Sequence, residues 1–486
     1  MTDLWFRSAL ELAAEIRGKR IGCRELLEVY LRRIELYNTK LNAVIGTILE
    51  SARKRADAAD AALARGDVWG PLHGVPMTVK ESYDLAGLPT TWGAPEYKDR
   101  IASRNALAVD RLMAAGAIVF GKTNVPLMLA DWQSYNAVYG TTSNPWDLTR
   151  TPGGSSGGSA AALAAGLTGL EAGSDIGSSL RNPAHYCGVF AHKPTWGVVS
   201  PRGHALDGRV AYADISVVGP MARSAADLEV ALSAMAGPDE VDGQGWRIEL
   251  PKARRERLSD FRVAVLTSVP HAEVDHAVQA GVIGVAEALA KAGAHVSDSA
   301  RPKLDTLEVD RLFRRLLGAA MSGRQPDELF RRNLERAKAI DPADLSGAAQ
   351  NLRAATLHHR DWLVGNEARH KMRLTWADFF GDYDVLICPP VTTAAFPHNH
   401  AGEPFERTLV VNGKERPIAE QLFWAGYSGL FYLPSTVIPA ALTAQGLPTG
   451  VQIIGPQYGD LTCIRLARML EREFRAFTPP PGYGAN

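Results

Sequence analysis

Two clusters of glycine and serine lie near each other in the chain, separated by an alanine-rich stretch. The first is GGSSGGS at residues 153–159, where four glycines allow the backbone to turn sharply and to approach another group closely. The second is DIGSSLR at residues 175–181, which follows the apolar stretch 167–172. The intervening sequence predicts a short buried helix and then a strand. Such a crossover would return Ser179 to the side of Ser155, 24 residues earlier (179 minus 155).

The first cluster has three other interpretations, and its flanking sequence argues against each. A Gly/Ser run is typical of a flexible linker, but this run is flanked by compact, apolar sequence. A phosphate-binding P-loop requires a lysine after its last glycine, and none follows here. Residues 153–157 match the Gly-x-Ser-x-Gly nucleophile elbow, which would make Ser155 the nucleophile. The elbow follows an apolar strand, whereas residues 144–152 (NPWDLTRTP) cannot form a central strand.

Several further motifs surround the two clusters. In chain order the motifs are HGVPMTVK at 73–80, GGSSGGS at 153–159, GSDIG at 173–177, Ser179 and Arg181, CG at 187–188, KPT at 193–195 and GLPTGVQ at 446–452. With these motifs the chain resembles the amidase signature family over nearly its whole length. The resemblance implies an amide hydrolase that uses neither a cofactor nor a metal.

The resemblance assigns roles to three groups of residues. The expected catalytic side chains are the nucleophile Ser179, the base Lys80 and, held by a cis peptide bond, the bridging serine Ser155. The expected oxyanion hole consists of the backbone N–H groups of Ile176, Gly177 and Ser178. The expected supporting polar residues are Ser156, Asp175 and Arg181.

Ser178 departs from the family pattern, which usually has glycine at this position. An added Cβ is expected to crowd the oxyanion hole or to alter its backbone angles, with consequences for rate and substrate range. Ser179 is still the expected nucleophile because it keeps both the interval from Ser155 and the Leu-Arg pair that follows.

Two lysines end strand-like segments, and their spacing does not distinguish between them. Lys80 closes residues 74–80, and Lys122 closes residues 117–122. A lysine at a strand end is normally solvated. Only the resemblance selects Lys80 as the base, and Lys122 is interpreted as structural. A lysine acts as a base near neutral pH only if burial lowers its pKa well below about 10.4.

Aromatic residues precede the first cluster and recur near the C-terminal motif. Large aromatic side chains either line a substrate pocket or pack in the core, and the sequence leaves both open. The predicted pocket residues are Met128, Trp132, Tyr135, Trp424 and Tyr427. They predict an apolar cleft and a small aryl or apolar amide as the substrate.

Three alternative functions remain open. The first is a carbamate (urethane) or ester hydrolase with the same catalytic residues. The second is the glutamine-hydrolysing A subunit of a tRNA-dependent amidotransferase complex, which the length and motifs also resemble. The third, suggested only by Ser178, is a catalytically impaired binding protein.

The composition excludes several partner classes. Lys plus Arg and Asp plus Glu number 53 each, so no basic excess favours nucleic acid or an anionic membrane. The four cysteines lack zinc-ligand spacing, and no apolar run of membrane-spanning length occurs. The N-terminus lacks the pattern of a secretory signal, so we expect a cytoplasmic protein. A small-molecule amide is the expected partner, and a homodimer stays open.

Strand-like and helical segments alternate, which predicts an α/β fold with a single large mixed β-sheet core wrapped by helices. The alternation further suggests that the sheet is largely parallel. One domain, 1–486, is expected, with an N-terminal helical cap (1–65), a signature core (66–260), a helical elaboration on the core (262–400) and a C-terminal part of the core (401–486).

Overall fold

The computed structural model describes residues 3–206, 208–344 and 347–484. Within these residues the α-helices are α1 (Ala9–Arg17), α2 (Cys23–Leu41), α3 (Leu49–Ala64), α4 (Leu107–Ala114), α5 (Gly157–Ala164), α6 (Arg181–Cys187), α7 (Ala225–Met235), α8 (His276–Lys291), α9 (Thr306–Ser322), α10 (Asp327–Ala339), α11 (Gly347–Ala355), α12 (His359–Asp382), α13 (Leu422–Gly429) and α14 (Asp460–Glu473). Across this part of the chain, no helix combines the length and the hydrophobicity needed to cross a bilayer.

The strands are β1 (Val44–Thr47), β2 (Pro76–Lys80), β3 (Ile118–Thr123), β4 (Tyr135–Asn136), β5 (Gly140–Thr141), β6 (Glu171–Asp175), β7 (Phe190–Lys193), β8 (Val217–Ala222), β9 (Arg262–Val265), β10 (His295–Ser297), β11 (Val385–Cys388), β12 (Thr408–Val411), β13 (Lys414–Pro417), β14 (Ser435–Leu442) and β15 (Pro448–Ile454). Eight of them form the central sheet, in the order β10-β9-β11-β15-β14-β7-β8-β6. The predicted α/β fold with one large mixed sheet is confirmed.

The central sheet is mixed, but the expectation that it is largely parallel is wrong. Only the neighbours β10, β9 and β11 run parallel. The other neighbouring pairs among the described strands are antiparallel. β14 and β15 show one reason, because residues 443–447 connect them, and so short a turn can join only antiparallel strands. Alternating elements in the sequence indicate strands, but not their relative directions.

Helices cover both faces of the central sheet, and successive residues of one strand therefore enter two different cores. Val263 and Val265 of β9 pack in an apolar cluster shared with α1, α2 and α7. Ala264, between them, packs in a second cluster with α9, α12 and α13. Burial on both faces explains why β9 has apolar residues at consecutive positions rather than a polar-apolar alternation.

A separate three-stranded sheet, in the order β1-β3-β2, carries Lys80 at the end of β2. β1 interrupts the N-terminal region predicted to be helical, and its β-branched Val44, Ile45 and Thr47 favour a strand. β2 packs against β6 of the central sheet. This contact brings Lys80 to the segment that follows β6, which contains the second serine cluster.

Candidate active site

Lys80 is fully buried between the two sheets, and the hydrogen bonds of its amine go to serines. Nζ donates to Ser155 Oγ at 2.7 Å and to Ser174 Oγ at 2.9 Å. The peptide bond between Gly154 and Ser155 is cis. Ser174 was not predicted as a site residue, although its position beside Asp175 in the motif GSDIG is the signal that could have found it. The lysine and the first serine cluster are thus in direct contact.

Burial lowers the pKa of Lys80 to about 7. The carboxylates of Asp175 and Glu81 oppose this shift, while the positive charge of Arg324 adds to it. Hydroxyl partners satisfy the amine without forming an ion pair, which would have favoured the charged form. A lysine with this pKa is substantially neutral near pH 7 and is able to accept a proton.

The predicted crossover brings the two serine clusters together. The chain runs from the first cluster through α5 and β6, and the Ser156 N–H then donates to the Ser179 carbonyl at 3.2 Å. The side-chain amide of Asn182 donates to the Gly154 carbonyl at 2.8 Å. A Cβ at Gly154 would lie 2.3 Å from the Asp131 carbonyl oxygen, so glycine is required at this close approach.

A buried ion pair braces the loop that contains Ser179. Asp175 accepts two hydrogen bonds from the Arg181 guanidinium, at 2.8 and 2.9 Å, and one from the Leu180 N–H at 3.0 Å. Burial alone would raise the pKa of Asp175, but Arg181, together with the charge of Lys193 and the Leu180 N–H, outweighs burial and holds that pKa at about 2. Arg181 also donates to Ser428 Oγ at 2.9 Å, which ties the loop to α13.

The three residues expected in the oxyanion hole differ in what their backbone does. The Ser178 N–H donates to Asp175 Oδ1 at 3.0 Å and is therefore already engaged. Ser178 has φ of +82°, a left-handed value that favours glycine. The N–H groups of Ile176, Gly177 and Ser179 make no hydrogen bond to the described residues, and Trp132 Nε1 donates to the Gly177 carbonyl at 2.8 Å. Ser179 N–H, which was not predicted, is thus a better-placed oxyanion donor than Ser178 N–H.

The structure separates the five predicted pocket residues. Trp424 and Tyr427 are buried in the core between the sheet and α12, because α13 turns them away from solvent. Tyr135 accepts a hydrogen bond from Arg407 at 2.8 Å, and Trp132 donates to the loop that contains Ser179. Only Met128 borders the cavity described next. Periodicity in the sequence indicates that these side chains are buried, but not whether they face a cavity.

A cavity of about 400 Å³ lies near the end of β2, although Lys80, Ser155 and Ser179 are not among its lining residues. Its walls include Trp92, Met128, His204, Tyr212 and Arg324. His204 Nε2 is 2.8 Å from the hydroxyl of Ser82, two residues after Lys80, which connects this wall to the end of β2. Nothing in the sequence marked His204 or Arg324, because both reach the cavity from segments remote from the motifs.

Lys122 lies on the strand next to Lys80 but has different surroundings. In the parallel β2–β3 pair, Lys122 stands opposite Val79 and Thr123 stands opposite Lys80, so the two lysines point to opposite faces. Lys122 Nζ donates to the Pro89 carbonyl at 2.6 Å and to Thr90 Oγ1 at 3.0 Å. These contacts fit the structural interpretation of Lys122.

Comparison with known proteins gives the family of the chain. The family model described as Amidase matches residues 25–464. An indoleacetamide hydrolase of Bradyrhizobium diazoefficiens is 33% identical over 96% of this chain and 86% of its own length. The A subunit of a glutamyl-tRNA(Gln) amidotransferase from Anaeromyxobacter sp. (strain K) is 31% identical over 97% of both chains. The solved structure of a 6-aminohexanoate cyclic dimer hydrolase is 27% identical, with a TM-score of 0.79 over 99% of this chain and 100% of that one. This chain belongs to the amidase signature family and is a hydrolase acting on amide carbon–nitrogen bonds.

Proposed function

We propose that the protein hydrolyses a small amide through an acyl-enzyme intermediate on Ser179, with Ser155 bridging Ser179 to the base Lys80. The observation that carries this proposal is the 2.7 Å hydrogen bond between Lys80 Nζ and Ser155 Oγ. The pKa of about 7 at Lys80 supports it, because the amine is then available as a base near neutral pH. The hydroxyl of Ser179 has no hydrogen-bond partner among the described residues, which leaves it available to a substrate.

In this mechanism Ser179 Oγ attacks the amide carbonyl carbon while its proton passes to Ser155, whose own proton passes to Lys80 Nζ. The carbonyl oxygen becomes an oxyanion, which the free N–H groups of Gly177 and Ser179 stabilise; one such donor is commonly worth about 3 kcal/mol. The carbon–nitrogen bond then breaks, and the proton returns from Lys80 through Ser155 to the leaving amine. Water attacks the acyl-enzyme by the same proton route and regenerates the Ser179 hydroxyl.

The substrate that we favour is an aryl or apolar amide. The cavity near the end of β2 has largely aromatic and apolar walls, with Trp92, Met128 and Tyr212 among them, beside His204 and two arginines. A relative with indoleacetamide hydrolase activity is consistent with an aromatic acyl group. Carbamates and esters remain alternatives, since the same steps cleave them. Similarity to the glutamyl-tRNA(Gln) amidotransferase chain makes glutamine the second candidate.

The test combines active-site labelling with a hydrolysis panel. A neutral fluorophosphonate should label wild-type protein, and Ser179→Ala should abolish both labelling and amide hydrolysis. Ser178→Gly is the matched control, since it changes the neighbouring serine and should keep the label. Labelling that persists on Ser155 in the Ser179→Ala variant would support the nucleophile elbow instead. A panel of phenylacetamide, acetanilide, glutamine and an aryl carbamate then ranks the substrates, and a preference for glutamine would overturn the aryl assignment.

A further inference from the structure

Arg324 lines the cavity near the end of β2 and has no acidic partner among the described residues. Its guanidinium carbon lies 4.5 Å from the centre of the Trp92 ring. No carboxylate among the described residues lies within ion-pair distance of it, and its side chain donates no hydrogen bond to them. Burial and, to a lesser extent, the nearby charge of Arg209 lower the pKa of Arg324 to about 10.

The protein's most deeply buried arginines all have partners, which makes Arg324 an exception. Aspartates pair with Arg181, Arg369 and Arg407. Main-chain carbonyls accept hydrogen bonds from Arg33 and Arg223. A partly buried cation with a second cation near it and no anion is unfavourable. An unpaired arginine facing a cavity is therefore suited to a ligand that brings the missing negative charge.

The position of Arg324 relates that ligand to the reaction. Its charge is close enough to act on the pKa of Lys80. Arg209 lies at the exposed rim of the same cavity. A volume of about 400 Å³ accommodates a small organic molecule in contact with Arg324. His204 in the same wall is 2.8 Å from the hydroxyl of Ser82, two residues after Lys80, which places the cavity near the proposed catalytic lysine. A planar guanidinium held against an indole presents its N–H donors in a fixed plane, which suits a carboxylate.

A second group of cations is less suitable as an anion site. The groove between α9, α10 and α11 contains Arg311, Arg314 and Arg353. Arg314 pairs with Asp310, and Arg353 donates to main-chain carbonyls of residues 341 and 344. The groove also contains Arg315, which donates to the Asp361 carbonyl, so three of its four arginines have partners, and the groove does not border Lys80.

We propose that the natural substrate carries a carboxylate or similar anionic group at the end remote from the scissile amide, and that Arg324 binds this group. The inference rests on the proposed function, because it assigns substrate specificity to the same site. It narrows the aryl or apolar class to amides that are apolar near the bond and anionic at the far end. Arg324 is then a specificity-determining residue.

The test uses substrate pairs that are similar in shape and differ in charge, and it compares variant with wild type so that the different intrinsic reactivity of the two substrates cancels. A nitro group has nearly the shape of a carboxylate but is neutral, so 4-carboxyphenylacetamide is compared with 4-nitrophenylacetamide, and 4-acetamidobenzoate with 4-nitroacetanilide. The measured quantity is the ratio of kcat/KM for the carboxylate to kcat/KM for the nitro compound. Because a hydrogen bond to a charged group contributes strongly, Arg324→Met should lower this ratio at least about tenfold in one pair. Arg324→Lys should lower it less.

Arg311→Met is the matched control, because Arg311 is an exposed arginine on α9 outside this cavity, and its ratios should match those of wild type. Independently of any variant, added KCl should lower kcat/KM for the carboxylate more than for the nitro compound. Unchanged ratios in Arg324→Met, or no difference in salt dependence, overturn the inference. A wild-type protein that neither takes the label nor hydrolyses any amide would instead overturn the proposed function.

Discussion

The pH dependence of acylation should report the protonation of Lys80. Lys80 accepts a proton only in its neutral form, and its pKa is about 7. At pH 5, two units below that pKa, about 1% of the lysine is neutral, so the acylation rate should be about one hundredth of its alkaline plateau. The rate should rise about tenfold per pH unit up to pH 6 and level off above pH 8. The assays are kcat/KM for phenylacetamide and the rate of Ser179 labelling by a neutral fluorophosphonate.

Two other buried lysines have pKa values in the same range, so the pH profile of acylation must be assigned to one of the three lysines. Burial lowers the pKa of Lys122 to about 8 and that of Lys193 to about 7. The charge of Arg324 helps to lower the pKa of Lys80 but is not among the main causes of the pKa shifts of Lys193 and Lys122. Arg324→Met should therefore raise the pKa of Lys80 and move the labelling profile to higher pH. A profile that stays in place, or a rate that falls between pH 6 and 8, would refute the assignment of Lys80 as the base.

Three further predictions concern the groups around the nucleophile. Lys80→Ala should lower kcat/KM for amides by about 10²- to 10⁴-fold. Lys122→Met should retain most of the activity if circular dichroism shows it folded. A larger loss of activity in Lys122→Met than in Lys80→Ala would contradict the choice of base. Ser178→Gly should stabilise the protein by up to about 1 kcal/mol in urea unfolding, because glycine adopts the left-handed φ of this position without strain from a Cβ. Destabilisation would show that the hydrogen bond from the Ser178 hydroxyl to the Pro390 carbonyl contributes more than this strain costs. Arg181→Met should destabilise the fold by about 3–5 kcal/mol because Asp175 is left buried and unpaired. In wild type the pKa of Asp175 is lowered to about 2, so its contribution to the free energy of unfolding should be complete above its ordinary pKa and be lost as pH falls through 2. If urea unfolding shows no loss of stability in Arg181→Met, the ion pair does not brace this loop.

The sequence predicts much of the order of strands and helices, because the local pattern of apolar residues is sufficient to indicate them. The predicted alternation of strand-like and helical segments is seen, for example, in the succession β9, α8 and β10. Lys80 and Ser155 were paired through motif resemblance, and they are hydrogen-bonded. Strand direction was not predictable, since it depends on how distant segments meet rather than on apolar patterning.

The site was predictable only where residues lie within motifs. Trp424 and Tyr427 were expected in a pocket, but hydrophobicity does not distinguish a core face from a cavity face, and they belong to the core. Arg324 was not predicted because it follows α9 among many charged residues that pair on the surface. What distinguishes it is the absence of an ion-pairing carboxylate among the described residues, which only three-dimensional structure can reveal.

The surroundings of Lys80 fit the buried base that we propose. A carboxylate in direct contact would satisfy the amine but would also hold its proton, because opposite charges favour the ionised form. Ser155 and Ser174 instead satisfy Nζ with hydroxyls, which do not favour one charge state as strongly. In the neutral amine, an N–H donates to Ser174 Oγ while the lone pair is free to accept the Ser155 hydroxyl proton. The carboxylate whose charge acts most strongly on Lys80 is that of Asp175, and its hydrogen bonds go to Arg181 and to backbone N–H groups. Asp175 therefore braces the loop of Ser179 without forming an ion pair that would keep Lys80 protonated.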